Sequence, residues 1–239
     1  MHTTRSRRLL AGAAMLALPA LAQAQTNWTN WTAATVGAPG SASGTLAGVG
    51  AVTWTGALNG FQLANGTSQN LTERGAQGSN YWNPAAPYTN ASVGLTAPDR
   101  PGFLQQNAAG RGTLTFATAV TNPVIAFVSV GQGGLRVDYT LNAGAVTPTL
   151  SVLSGNSTNA AYWGTGSVTV ADNILQSNEF SGVVQLNGTF TSVDIAWGPN
   201  EFWHGFTVGQ VVPEPSTYAL MATGLAGLGA VARRRRRTS

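Results

Sequence analysis

The chain has 239 residues, a formal charge of +4, no cysteine and, since all twelve of its basic residues are arginine, no lysine. This excludes disulfides, thiolate metal sites, Schiff-base chemistry and any P-loop. The charge also sits at the ends: residues 1–24 carry three arginines and 213–239 five arginines against Glu214, while four arginines and seven acids between them leave the body at −3. A mildly acidic body has no electrostatic footprint for nucleic acid, and none is expected as a partner.

The N-terminus reads as a signal peptide over residues 1–24. Arg5, Arg7 and Arg8 form a basic start, Leu9 to Leu21 an apolar stretch too short to span a membrane, and Ala22-Gln23-Ala24 a small-residue cleavage site. Signal peptidase would cut after Ala24 and leave Gln25 as the first residue. Sec and twin-arginine export both remain open.

Residues 25–211 read as an all-β ectodomain. Strand-like alternation appears at Leu114 and Phe116, at Val137, Tyr139 and Leu141, at Val193, Ile195 and Trp197, and at Phe206 and Val208. Val124 to Val130 is almost continuously apolar and reads as a central strand. Asn59-Gly60, Gly133-Gly134 and Asn187-Gly188 read as hairpin turns joining neighbouring strands. Nine or ten short strands and no helical stripe predict a two-sheet antiparallel sandwich of jelly-roll type. Residues 65–110, rich in Pro, Gly and Asn, read as long surface loops with at most one embedded strand.

Candidate chemistry is sparse. Asp194, Glu201 and His204 resemble a catalytic cluster, but no nucleophile motif accompanies them. Glycoside hydrolysis needs two placed carboxylates, and sequence cannot reject a pair assembled by the fold. No closely spaced ligand set suggests a metal, and no cofactor is expected. Trp28, Trp31, Trp82 and Trp163 lie among Asn, Thr and Tyr, where exposed rings could stack on sugars such as an exopolysaccharide. Equally, they could cap the ends of the core.

Residues 212–239 carry the clearest pattern. Pro213-Glu214-Pro215 is a stiff, extended acidic motif, because each proline fixes its own φ and pushes the preceding residue away from helix. The uncharged run Thr217 to Ala232 follows, at ~1.5 Å per residue roughly 24 Å of helix, short of the ~30 Å hydrocarbon core. Arg233, Arg234, Arg235, Arg236 and Arg237 then form a basic stop that would remain in the cytoplasm. In that order and spacing the tail resembles the PEP-CTERM sorting signal of Gram-negative bacteria. The resemblance implies a single transmembrane sorting helix, processing near the motif by a membrane exosortase, transient anchoring in the inner membrane, and delivery to the cell envelope, surface or matrix. It implies no activity for the body, and the expectation is a non-enzymatic surface or matrix protein. A lectin-like module is the first alternative and a glycosidase or other hydrolase the second.

Overall fold

The computed structural model describes residues 24–71, 80–83, 85–98, 102–144, 146–155, 166–199, 201–213, 221–228 and 233. Gln23–Glu214 form one compact unit; a second comprises Met1–Ala22 and Pro215–Ser239, of which residues 221–228 and Arg233 are α-helical.

The larger unit consists of two antiparallel sheets. Sheet A runs in the spatial order β11 (Thr149–Gly155), β14 (Phe180–Asn187), β9 (Pro123–Val130), β16 (His204–Pro213), β7 (Phe103–Gln106), β5 (Gly60–Gln62) and β6 (Ser68–Gln69), with β1 (Ala24–Trp28) also paired to β16. Sheet B runs β12 (Ser167–Ala171), β13 (Ile174–Asn178), β10 (Val137–Asn142), β15 (Thr189–Gly198), β8 (Gly110–Thr121), β4 (Gly50–Leu58), β3 (Gly37–Leu46) and β2 (Asn30–Thr35). Pairing is nested: β8 with β15, β9 with β14, β10 with β13. The chain thus wraps its strands in nested pairs across the two sheets.

Nesting overturns the three expected hairpins. Asn187-Gly188 leads from β14 in sheet A to β15 in sheet B, Gly133-Gly134 from β9 to β10, and Asn59-Gly60 from β4 to β5, each crossing between sheets. A tight Gly-containing turn reverses the chain equally well within a sheet or over the rim of a sandwich. Local turn chemistry therefore does not choose the partner strand. Genuine hairpins occur elsewhere, as at β3–β4 and β12–β13.

The main core lies between the sheets. Leu114 and Phe116 of β8, Val193, Ile195 and Trp197 of β15, and Ile125 and Phe127 of β9 all contribute. Trp54 of β4 lies 5.1 Å from the Phe206 ring, edge to face, and 6.1 Å from Trp197, so this aromatic cluster joins both sheets. Gly112 makes room for it, since a Cβ there would stand 2.3 Å from the Trp54 ring.

A second core covers the outer face of sheet A. Val124, Ala126 and Val128 of β9 pack there with Tyr81, Trp82, Tyr88, Val93, Phe103 and Trp203. β9 is therefore buried along its whole length, which accounts for its unbroken apolar run. The expectation that 65–110 is surface loop needs correction over 80–98: its aromatics close a core. β7 is the embedded strand, and β6 adds two residues.

Candidate functional site: a sorting segment at the end of the last strand

β16 delivers the chain into the Pro-Glu-Pro motif, with Pro213 as its last residue and an extended backbone there. Its two long pairings end at different points. β9 accompanies it from Gly205 to Gln210, and β1 from Gly209 to Pro213. Past Gln210, β1 is its strand partner, in the register Thr26 to Val211, Gln25 to Val212 and Ala24 to Pro213. β1 is itself moored to the 90–96 segment, through the Thr26 hydroxyl donating to the Val93 carbonyl and the Trp28 indole N–H donating to that of Thr96 at 3.1 Å. Of the expected cleavage residues, Ala24 and Gln25 thus open β1, and Ala22 lies outside the described residues.

Glu214, Pro215 and Arg234 to Arg237 also lie outside them. Within residues 221–228, Met221, Leu225 and Leu228 are exposed. Among the described residues no helix is long and apolar enough to cross a membrane.

Of the aromatic residues expected to stack on sugars, two are buried where they are described. Trp31 is fully buried in the inter-sheet core, its indole N–H donating to the Thr207 hydroxyl at 3.1 Å. Trp82 is buried in the outer core, edge-on to Tyr88 at 5.2 Å. Trp28 is half-buried against that same core. The physical reason is area: rings this large remove the most apolar surface from water when they close a core. Trp163 lies outside the described residues.

Sheet B instead offers an open groove of about 1040 Å³ on its outer face. Thr55, Thr113, Asp194 and Asn142 stand opposite one another on β4, β8, β15 and β10, and all four line it together with Arg111. The Thr113 hydroxyl donates to an Asp194 carboxylate oxygen at 2.7 Å, which fixes the carboxylate's orientation. Sequence reasoning missed this row, because which polar residues fall in line depends on strand register.

The suspected catalytic cluster separates. Asp194 is in the groove, whereas Glu201 and His204 are sealed in the interior. His204 Nδ1 stands 2.8 Å from Glu201 Oε2, although the angle falls short of a regular hydrogen bond. The same carboxylate oxygen accepts the Gly131 N–H at 2.9 Å, and the Glu201 carbonyl accepts the Ala108 N–H at 2.8 Å. Glu201 therefore ties three chain segments together. Tyr139 lies beside this pair, donating to Gln106 Oε1 at 2.6 Å. Burial, and then the negative charge of Glu201, push its phenol well above the usual tyrosine range. Both side chains are buried, and the arrangement ties the surrounding segments together.

The fold and its terminal segment define an exported β-sandwich protein with a C-terminal sorting signal. Residues 211–237 match the PEP-CTERM protein-sorting motif, and the chain carries that motif. The motif implies export to the cell envelope or surface and processing by an exosortase-type enzyme. Neither a curated protein nor a solved structure matches the chain.

Proposed function

We propose that this chain is a non-enzymatic protein of the cell surface or exopolysaccharide matrix. Its leader is removed after Ala24. Thr217 to Ala232 holds it briefly in the inner membrane as a helix, with Arg233 to Arg237 in the cytoplasm, until processing near Glu214 releases or transfers the body. The observation that carries this reading is the position of the matched motif, which starts within the last strand of a folded domain. Burial of Glu201 and His204 supports a body without catalytic function.

The test is intact-mass analysis with cell fractionation in an exporting host. Glu214→Ala should accumulate as an exported, unprocessed, membrane-bound form. Replacing Arg233 to Arg237 with Ser should release unprocessed precursor, since each arginine resists translocation by ~2.5–3.5 kcal/mol at the bilayer centre. Parental trimming and localisation in both variants would refute the reading.

A second reading, retention of neutral polysaccharide, is favoured by the sheet B groove. Its row of hydroxyl, amide and carboxylate groups, with one acid and one base, suits a polyhydroxylated, uncharged ligand. Affinity electrophoresis in gels containing neutral glucans or galactans should show retardation that Asp194→Ala removes. Asp194 is the groove's single carboxylate among the described residues, so the two-carboxylate geometry of a glycosidase finds no support there.

A further inference from the structure

We propose that β1 is a strap that controls access to the sorting segment, so that processing requires β1 to leave β16. This rests on the reading that the motif is processed. The matched motif begins at Val211, and Val211 is also the first residue of β16 beyond its pairing with β9. From Val211 to Pro213 the sheet holds this segment through Ala24, Gln25 and Thr26 of β1. While those pairs persist, the residues leading into Glu214 belong to a sheet. Once they open, the same residues become the free extended peptide that a processing enzyme can bind by backbone pairing.

The strap is built to open from one end. Cleavage after Ala24 would leave Gln25 as a chain terminus, and termini fray first. Fraying from that end breaks Gln25–Val212 and Thr26–Val211 before Asn27–Gln210 and Trp28–Gly209. The inner half of β1 is held in addition by the chain that follows it. The Thr29 N–H donates to the Val208 carbonyl at 2.8 Å, and Gly209 lies so close that a Cβ there would stand 2.6 Å from the Asn27 carbonyl oxygen. The outer half rests on Gly94, which has φ +105° and lies so near it that a Cβ would stand 2.9 Å from the Gln25 Cα, which cleavage leaves in place. Uncovering the motif therefore requires the Thr26 hydroxyl to leave the Val93 carbonyl, while the Thr29–Val208 bond can stay in place.

Two full-length variants, both leaving Pro213, Glu214 and Pro215 intact, drive the strap in opposite directions. In Thr26→Cys/Val211→Cys, the new residues stand opposite each other in the register, on a pair that must open to free the motif. The ~4.5–5.5 Å Cα spacing of such antiparallel pairs falls within the disulfide range. With no native cysteine, the chain offers no competing thiol. Gly94→Val pushes β1 outward without altering either strand. Processing is followed by pulse-chase in the exporting host. The locked form should be processed roughly tenfold more slowly, and dithiothreitol should restore the parental rate, because cleavage tracks the population of the open form. The parent treated with dithiothreitol controls for effects on the host. Gly94→Val should be processed several-fold faster. Equal rates for the locked, reduced and parental chains would overturn the strap, even if Glu214→Ala still blocks processing. If Glu214→Ala is itself processed normally, the sorting reading fails and the strap fails with it.

Discussion

The two sheets of this sandwich are treated differently by the rest of the chain. Sheet A is covered on both faces, by sheet B on one side and by the aromatic segment 80–98 on the other. Among the described residues, sheet B is covered on one. The difference is written into the strands: β9 is buried at all eight positions, whereas β8 alternates Leu114 and Phe116 inside with exposed or half-exposed Thr113 and Thr115 outside. Strand sequence thus reports how many faces are covered, and not merely that a strand exists. The covered sheet holds the first and last strands, β1 and β16. The open sheet is free to present its polar row.

The sharpest way to break this comparison is one substitution made on the outer face of each sheet. Ala126→Lys on β9 places an ammonium in the second core and should cost about 4–5 kcal/mol, enough to prevent folding or leave only residual stability, because the charge has no partner there. Loss of the cooperative unfolding transition in a denaturant series is the readout. If Ala126→Lys were tolerated, the 80–98 cover would not be a true core.

Next in size is removal of the cover's own anchor. Trp82→Ala should destabilise the protein by ~3–4 kcal/mol through lost burial and the cavity left behind. Urea midpoints measure this, and dye binding should rise as the outer face of sheet A becomes accessible. A loss below about 1 kcal/mol would put Trp82 outside a packed core, where surface changes of that size belong.

Alkaline pH probes the cover more gently. Burial pushes the Tyr88 phenol far above its ordinary value of 10.0, and the nearby Ser181 hydroxyl, without a regular hydrogen bond to it, offsets little of this. The folded state then keeps a proton that the unfolded state releases. Stability contributed by this group is complete below pH 10 and declines above it, by about 1.4 kcal/mol per pH unit for each such tyrosine. Tyr139 adds a like contribution. Tyr88→Phe should lower the slope of stability against pH above 10 and change little at neutral pH, because its hydroxyl has no regular hydrogen-bond partner to lose. An unchanged slope would mean that the phenol is not buried.

Smallest of all is the counterpart on sheet B. Thr115→Lys, on the exposed face of β8, should change stability by no more than ~0.5 kcal/mol. A loss of several kcal/mol there would show that this face is also covered, and the contrast between the sheets would disappear.

The sequence by itself determined the elements whose cause is local or compositional. The two-sheet β architecture followed from alternation, and the central position of β9 from its unbroken apolar run. The tail was legible because a sorting signal is a linear pattern: its prolines, apolar run and arginines act in chain order, without needing a fold to assemble them. Tertiary structure decided the rest. Asn187-Gly188 turns the chain in the same way whether the next strand joins the same sheet or crosses to the other, so partner choice came from packing the apolar faces together. Trp31 and Trp82 stand among polar neighbours in the chain, yet large rings lower the free energy most when buried, and the fold drew them into two different cores. Glu201 and His204 were close in sequence and stayed close, whereas Asp194 faces outward on β15, on the side opposite Ile195. The row from Thr55 to Asn142, and the pairing of Ala24 with Pro213, exist only because strand register brings residues far apart in the chain into line.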